Sequence, residues 1–344
     1  MDICLFGISA LEALRAASVL APEIFMGAQT YARRPRLSDC GVPHLAGAET
    51  ELDMLGVTSR PLHVLVSDDS HSHTTAGVVR HICASVPSRS LVRISEHVVA
   101  PRPELCLIEL ASEPERLRMA RLGEGAQAVD LPGPERFLFE ADLVLIGMEL
   151  CGGYRIDRSD PRGFAGAEPL MDAEGLARYL DRAASMRGVV LARRAAGLTL
   201  DGVRSPAEAV LAILLTAPRR IGGVGFPGAV SNLRVDTPDG PRFIDLAFPA
   251  ARTGVEYQGE EFHGLGQVRN EDRRQNMLGG AGLTIFNVWK DDLSNPVLFD
   301  RLVRDLARAM GVRLRIRDAD FPRRQALLRS WVLPPLHRYD DFAP

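Results

Sequence analysis

The stretches RFIDLAFP (242–249) and TGVEYQG (253–259) set acidic side chains into otherwise apolar, alternating runs. The runs read as neighbouring strands, and if a hairpin pairs them Asp245 can face Glu256. Gln258, two residues beyond Glu256, shares its face. Two carboxylates about 4 Å apart in a partly buried site repel by about 4 kcal/mol at an effective dielectric near 20. A hard divalent cation, Mg²⁺ or Mn²⁺, offsets that repulsion, polarises a phosphoryl group and acidifies a bound water. The plainer alternative is a pair of charged strand residues facing solvent, which spacing alone favours. The apolar setting and the EEFHG that follows (260–264) tip the balance toward a site.

Working outward, Ser205, Pro206 and Glu208 stand at N-cap, N1 and N3 of a helix with Val210, Leu211, Leu214 and Leu215 on its apolar face. Ser-x-x-Glu is also a capping box, so Glu208 has a structural reading as good as a metal-binding one. The glycine-rich RRIGGVGFPG (219–228) reads as a tight loop with a weak phosphate-cradle alternative, with Arg219 and Arg220 at its start. NLRVDT (232–237) precedes the hairpin, an arginine-bearing helix (about 266–280) follows it, then a strand LTIFNVW (283–289) and a helix begun by Asn295 and Pro296 and closed by Gly311. The order α-β-β-β-α-β-α predicts an α/β unit, a mixed sheet flanked by helices. Arg269 and Arg273 fall four apart on the arginine-bearing helix, beside Arg274, Glu271 and Asp272, which reads as a salt-bridged surface with phosphate contact as the alternative.

These segments, SPAE (205–208), IDLAFP (244–249), VEYQGEEFH (255–263), RNEDRRQNMLGGAG (269–282) and LTIFNV (283–288), resemble in order the motifs of the PD-(D/E)xK nuclease superfamily, in the branch of the very-short-patch-repair endonucleases. The likeness covers about a third of the chain. It implies a restriction-endonuclease-like fold, an Mg-dependent (or Mn-dependent) endonuclease activity on DNA phosphodiesters, and roles in phage defence or DNA repair. Carried over, Asp245, Glu256 and Glu208 hold the metal, Gln258 takes the place of the superfamily's lysine and orients the attacking water, and His263 lies near the substrate. Arg269, Arg273, Arg274, Arg219 and Arg220 would meet nucleic-acid phosphates. Where the family carries lysine and arginine this chain has Gln258 and Asn287, and its only lysine is Lys290. The alternative is therefore a catalytically inactive nuclease-fold protein that binds nucleic acid, or an antitoxin-like regulatory or interaction protein.

The first 199 residues predict an α+β region. Ser9 and Glu12 have capping-box spacing ahead of a helix to Leu20, and LHVLVS (62–67), VVRHICAS (78–85) and LVRISEHVV (91–99) predict a small antiparallel sheet. Helices follow over 103–150 and near 172–198. DDSHSHTT (68–75) clusters Asp68, Asp69, His71 and His73, and reads as a solvated turn before it reads as a metal site. The run from LHVLVS to APRPELCLIELAS (100–112) resembles AbiEi-type antitoxins, which implies a recognition or regulatory role and a protein partner in a toxin-antitoxin or defence pair. The expected organisation is 1–199, 200–315 and an arginine- and proline-rich extension, 316–344.

The 344 residues, 46% hydrophobic and 25% charged, contain enough apolar material for more than one core. No apolar run is long enough for a membrane span, and the N-terminus has no basic start, so membrane insertion and export are not expected. Five scattered cysteines without a C-x-x-C pair argue against a disulfide framework and for a cytoplasmic location. Net charge −3 excludes a protein coated in positive charge for indiscriminate nucleic-acid binding. The charge is uneven: residues 1–200 carry 21 basic and 26 acidic groups, a balance of −5, against 20 and 18, or +2, in 201–344.

Overall fold

The computed structural model describes residues 2–20, 35–42, 45–68, 77–123, 126–238, 240–259, 280 and 282–333. The chain is mixed α/β and divides into two compact units, one of residues 1–151 and 167–199, the other of residues 152–166 and 200–344. No helix among the described residues is long and apolar enough to cross a membrane.

The first unit holds strands β1 (Ile3–Cys4), β2 (Leu62–Val66), β3 (Val78–Ile82), β4 (Leu91–Arg93) and β5 (Val98–Pro101). Its helices are α1 (Gly7–Leu20), α2 (Leu45–Met54), α3 (Pro103–Ser112), α4 (Leu117–Leu122), α5 (Phe137–Leu150), α6 (Ala173–Arg182) and α7 (Val189–Ala196). The expected small antiparallel sheet is two sheets. β2 and β3 pair in parallel, while β4 and β5 are antiparallel with β1 added in parallel. All five residues of β2 are buried, so the strand has no exposed face whose alternation could mark it, as is usual for parallel strands. Ser9 and Glu12 do not form a capping box either. α1 already starts at Gly7, the Ser9 hydroxyl accepts the His63 amide at 3.0 Å, and a Glu12 carboxylate oxygen accepts the Ser59 amide at 2.9 Å. Both side chains bind the segment leading into β2.

Two buried acids of this unit meet arginines, and a third meets a main-chain amide. Arg15 Nε donates to Glu149 at 2.7 Å, Arg121 Nε lies 2.9 Å from the fully buried Asp142, and Glu109 accepts the Gly7 amide at the start of α1 at 3.0 Å. The last contact places an acid at the positive end of α1. Where α7 meets α3, the N-cap Gly188 has φ +89 and a Cβ there would lie 2.5 Å from the Ile108 carbonyl oxygen, so only glycine fits.

The second unit contains the hairpin β6 (Tyr154–Ile156) and β7 (Phe164–Gly166), joined to its main segment where Gly153 donates to the Val203 carbonyl at 2.7 Å. Then come α8 (Pro206–Thr216), β8 (Val230–Thr237), β9 (Gly240–Phe248), β10 (Thr253–Tyr257), β11 (Thr284–Val288), α9 (Lys290–Ser294), α10 (Pro296–Ala309) and α11 (Phe321–Val332). The four main strands lie in the order β11-β10-β9-β8, antiparallel except for the parallel pair β10 and β11. Val210, Leu211, Leu214 and Leu215 of α8 are all buried. The arginine- and proline-rich tail contributes a helix, α11, whose Phe321, Leu328 and Val332 are buried and which packs on α8.

Glycines 219–228 answer to packing. The amides of Val224 and Phe226 donate to the carbonyls of Leu214 and Leu215 at 2.9 and 3.0 Å, filling acceptors that the end of α8 leaves open. A Cβ on Gly223 would collide with the Ala217 carbonyl.

Candidate functional site

Asp245 stands where the sheet loosens on both sides. Toward β8 the ladder pairs Ser231 with Leu246 and Leu233 with Ile244, skipping the step between, where Asn232 takes φ 52 and donates its side-chain amide to the Gly202 carbonyl at 2.7 Å. Toward β10 the ladder ends at Val255 and Leu246. Beyond it the Asp245 carboxylate itself accepts the Tyr257 amide at 2.9 Å. The side chain thus takes up a main-chain donor that the parting strands release. β10 remains paired to β11 as far as Tyr257 and Val288, and the Gln258 amide donates to the Val288 carbonyl at 2.8 Å.

Glu256, 1% exposed, precedes the peptide that Asp245 binds and lies opposite Asn287 in the parallel register. Gln258 Nε2 donates to Asn287 Oδ1 at 3.2 Å, so the two residues that depart from the nuclease motif are bonded to one another. At the start of α8 Ser205 caps the helix, while the Glu208 side chain reaches past it to the Arg204 amide and does not close a capping box on the Ser205 amide. Ser205 Oγ accepts the Glu208 amide at 3.1 Å and donates to Glu208 Oε1 at 3.0 Å, while Oε2 accepts the Arg204 amide at 2.9 Å. Burial, and then the charge of Asp245, push the Glu208 carboxyl up to about 7. The cap explains how Glu208 is held, and the Asp245 charge says what it faces.

Glu208, Asp245 and Glu256 come from α8, β9 and β10, yet among the described residues they are not a triple whose carboxylate oxygens all lie within 4.8 Å of one another. Arg219 is committed to structure, donating to the Arg315 carbonyl at 2.6 Å, and Arg220 is exposed. His263, Arg269, Arg273 and Arg274 lie outside the described residues, as do Asp69, His71 and His73.

A second group of titratable side chains, not anticipated from the sequence, lies in the first unit. His63 on β2 and His81 on β3 face one another, Nδ1 to Nε2, at 2.9 Å. Glu113, just past α3, lies 3.9 Å from His63 Nδ1 and 3.6 Å from His81 Nδ1. Arg116 Nη1 lies 3.2 Å from His63 Nε2, and its Nε lies 3.4 Å from Glu113. Burial first, then Arg116, pulls His63 down to about 4; burial, His63, Arg116 and Arg187 pull His81 to about 3. Burial pushes the Glu113 carboxyl up. The only sequence signal was one histidine inside each of two apolar runs, LHVLV and VVRHI, overshadowed by the denser DDSHSHTT between them.

The first unit also has a cavity of about 460 Å³ lined by Ser88, Arg89, Arg102, Glu104, Tyr179 and Arg182.

Comparison with protein-family models, with curated proteins and with solved structures returns no match for this chain.

Proposed function

We propose that the second unit is a restriction-endonuclease-like unit that hydrolyses nucleic-acid phosphodiesters, DNA first among them, with Mg²⁺ or Mn²⁺. The observation that carries this reading is the placement of Asp245, released from the ladder on both sides, bonded to the peptide after Glu256 and acting on Glu208 across the gap to α8. The order helix, three antiparallel strands and a parallel fourth strand supports the fold. A hard dication suits the acids present, because Glu208 is raised in part by a like charge that such an ion relieves. Asp245, Glu256 and Glu208 would hold it, and when bound it supplies Lewis-acid polarisation of the phosphoryl group. Gln258, bonded to Asn287, would orient water through its amide but takes no proton. In the first unit, the arginines of the cavity (Arg89, Arg102 and Arg182) suit an anionic partner and support a recognition role.

The test is nicking of supercoiled plasmid with Mg²⁺ or Mn²⁺ by wild type, Asp245→Ala and Glu256→Ala. Cleavage by wild type with loss in both variants is expected; no cleavage by wild type removes the enzymatic claim. The bond between Gln258 and Asn287 favours one second reading, a nuclease fold that binds without cutting. Salt-sensitive DNA affinity without nicking would select it.

A further inference from the structure

We propose that His63, His81 and Glu113 of the first unit form a binding site for a zinc-class divalent cation. Two imidazoles and one carboxylate are a borderline N/O donor set, which suits Zn²⁺ or Co²⁺ and not the oxygen-seeking Mg²⁺ proposed for the second unit. One ligand atom from each of the three residues falls within 4.8 Å of the other two. A tetrahedral ion with bonds of about 2.0–2.1 Å holds its ligand atoms about 3.3 Å apart. The 2.9 Å between the imidazole nitrogens and the 3.9 Å from His63 Nδ1 to Glu113 bracket that separation for two of the three pairs, and an adjustment chiefly of the Glu113 side chain, which lies on the Nδ1 side of His81, admits the ion. Three protein ligands leave the fourth position open, the pattern of a reactive and not a purely structural zinc site.

The scaffold is built to hold these groups in place. The His63 amide donates to Ser9 Oγ at 3.0 Å, its carbonyl accepts the Phe6 amide at 3.0 Å, and the Phe6 ring stacks on His81 with centroids 3.7 Å apart. Without an ion, a chain of donors runs through the two rings and ends 3.6 Å short of Glu113. Arg116 donates to His63 Nε2, His63 Nδ1–H donates to His81 Nε2, and His81 Nδ1–H points to Glu113. Both imidazoles are then neutral, the form in which they bind a metal. An ion that takes the Nδ1 lone pair of His63 moves the proton to Nε2, against the Arg116 guanidinium. Arg116 therefore competes with the metal and must swing away when it binds.

Calorimetric titration of the full chain with Zn²⁺, and the visible absorption of Co²⁺, test the site. Expected are one equivalent bound, a tetrahedral Co²⁺ spectrum, a loss of affinity of about 100-fold in His81→Ala and at least about 10-fold in Glu113→Gln. Arg116→Gln, with the competing donor weakened, binds as tightly as wild type or tighter. Asp245→Ala leaves Zn²⁺ binding unchanged, which separates this site from the acidic one. Absence of stoichiometric Zn²⁺ binding, unchanged affinity in a folded His81→Ala, or loss in a His71→Ala/His73→Ala variant while His81→Ala is unaffected would each overturn the assignment. Weaker binding in Arg116→Gln would overturn the role given to Arg116.

Discussion

The interiors of the two units treat charge in opposite ways. In the first, Glu149 meets Arg15, Asp142 meets Arg121 and Glu109 meets the Gly7 amide. In the second, the strongest charge acting on Glu208 is another carboxylate, that of Asp245. A buried charge beside its opposite is explained by folding alone, whereas a like charge raises the free energy of the folded chain and calls for a purpose outside it. By that criterion the acidic corner of the second unit is the place to test for function, and the paired charges of the first unit's interior need no role beyond scaffold. The two histidines depart from that pattern: besides Glu113 they have Arg116 and Arg187 near them, which carry the same sign that protonation would add.

The contrast can be broken experimentally. Its largest consequence is Arg121→Met, which takes from the buried Asp142 the guanidinium 2.9 Å away, with Arg118 still acting on it, and should cost roughly 3 kcal/mol of stability, read as a fall in urea midpoint. An unchanged midpoint would mean that the pair is not what holds Asp142. Next, Asp245→Ala should lower plasmid nicking about 100-fold, or about 2.7 kcal/mol in activation free energy, with little loss of folding. A variant that cuts as well as wild type would make Asp245 a backbone brace and nothing more.

Glu208 gives a sharper reading through pH. Its carboxyl is raised from 4.5 to about 7, so the folded state binds the proton more tightly than the unfolded state. Stability from this group is full below about pH 4.5 and falls as pH rises through about 7, on the order of 2 kcal/mol after solvent screening. Glu208→Gln, which keeps the cap, should flatten that slope in a denaturation series, and Mg²⁺ should flatten it in wild type. The histidines tilt the other way. Their pKa values fall from 6.5 to about 4 for His63 and about 3 for His81, so stability is present above pH 6.5 and declines as pH drops toward those values. Between pH 6.5 and about 5.5 the loss should be on the order of 1 kcal/mol, and smaller in His81→Gln.

The second unit was the more legible in sequence, for physical reasons. Ile244 and Leu246 are buried on either side of the less buried Asp245, which is the alternation a strand needs, and Ser205 and Asn295 accept amides as caps of α8 and α10. β2 lacks any such alternation, so its parallel partner could not be read from pattern. Ser9 and Glu12 carried a local signal that a distant segment used instead. The site was partly legible: adjacency of Asp245 to the strand of Glu256 follows from a hairpin, but the interrupted ladder depends on the left-handed backbone of Asn232. The His63, His81 and Glu113 group was not legible, because its members come from β2, β3 and the end of α3 and meet only through folding.

The hairpin of β6 and β7 is encoded between two segments of the first unit but belongs to the second. A gene fragment begun at residue 200 would therefore leave out a piece of the body it is meant to yield and expose the Val203 carbonyl that Gly153 covers. Independent production of the second unit calls for residues 152–166 to be spliced back through a short tether, while their excision, with the ends rejoined, would spare the first.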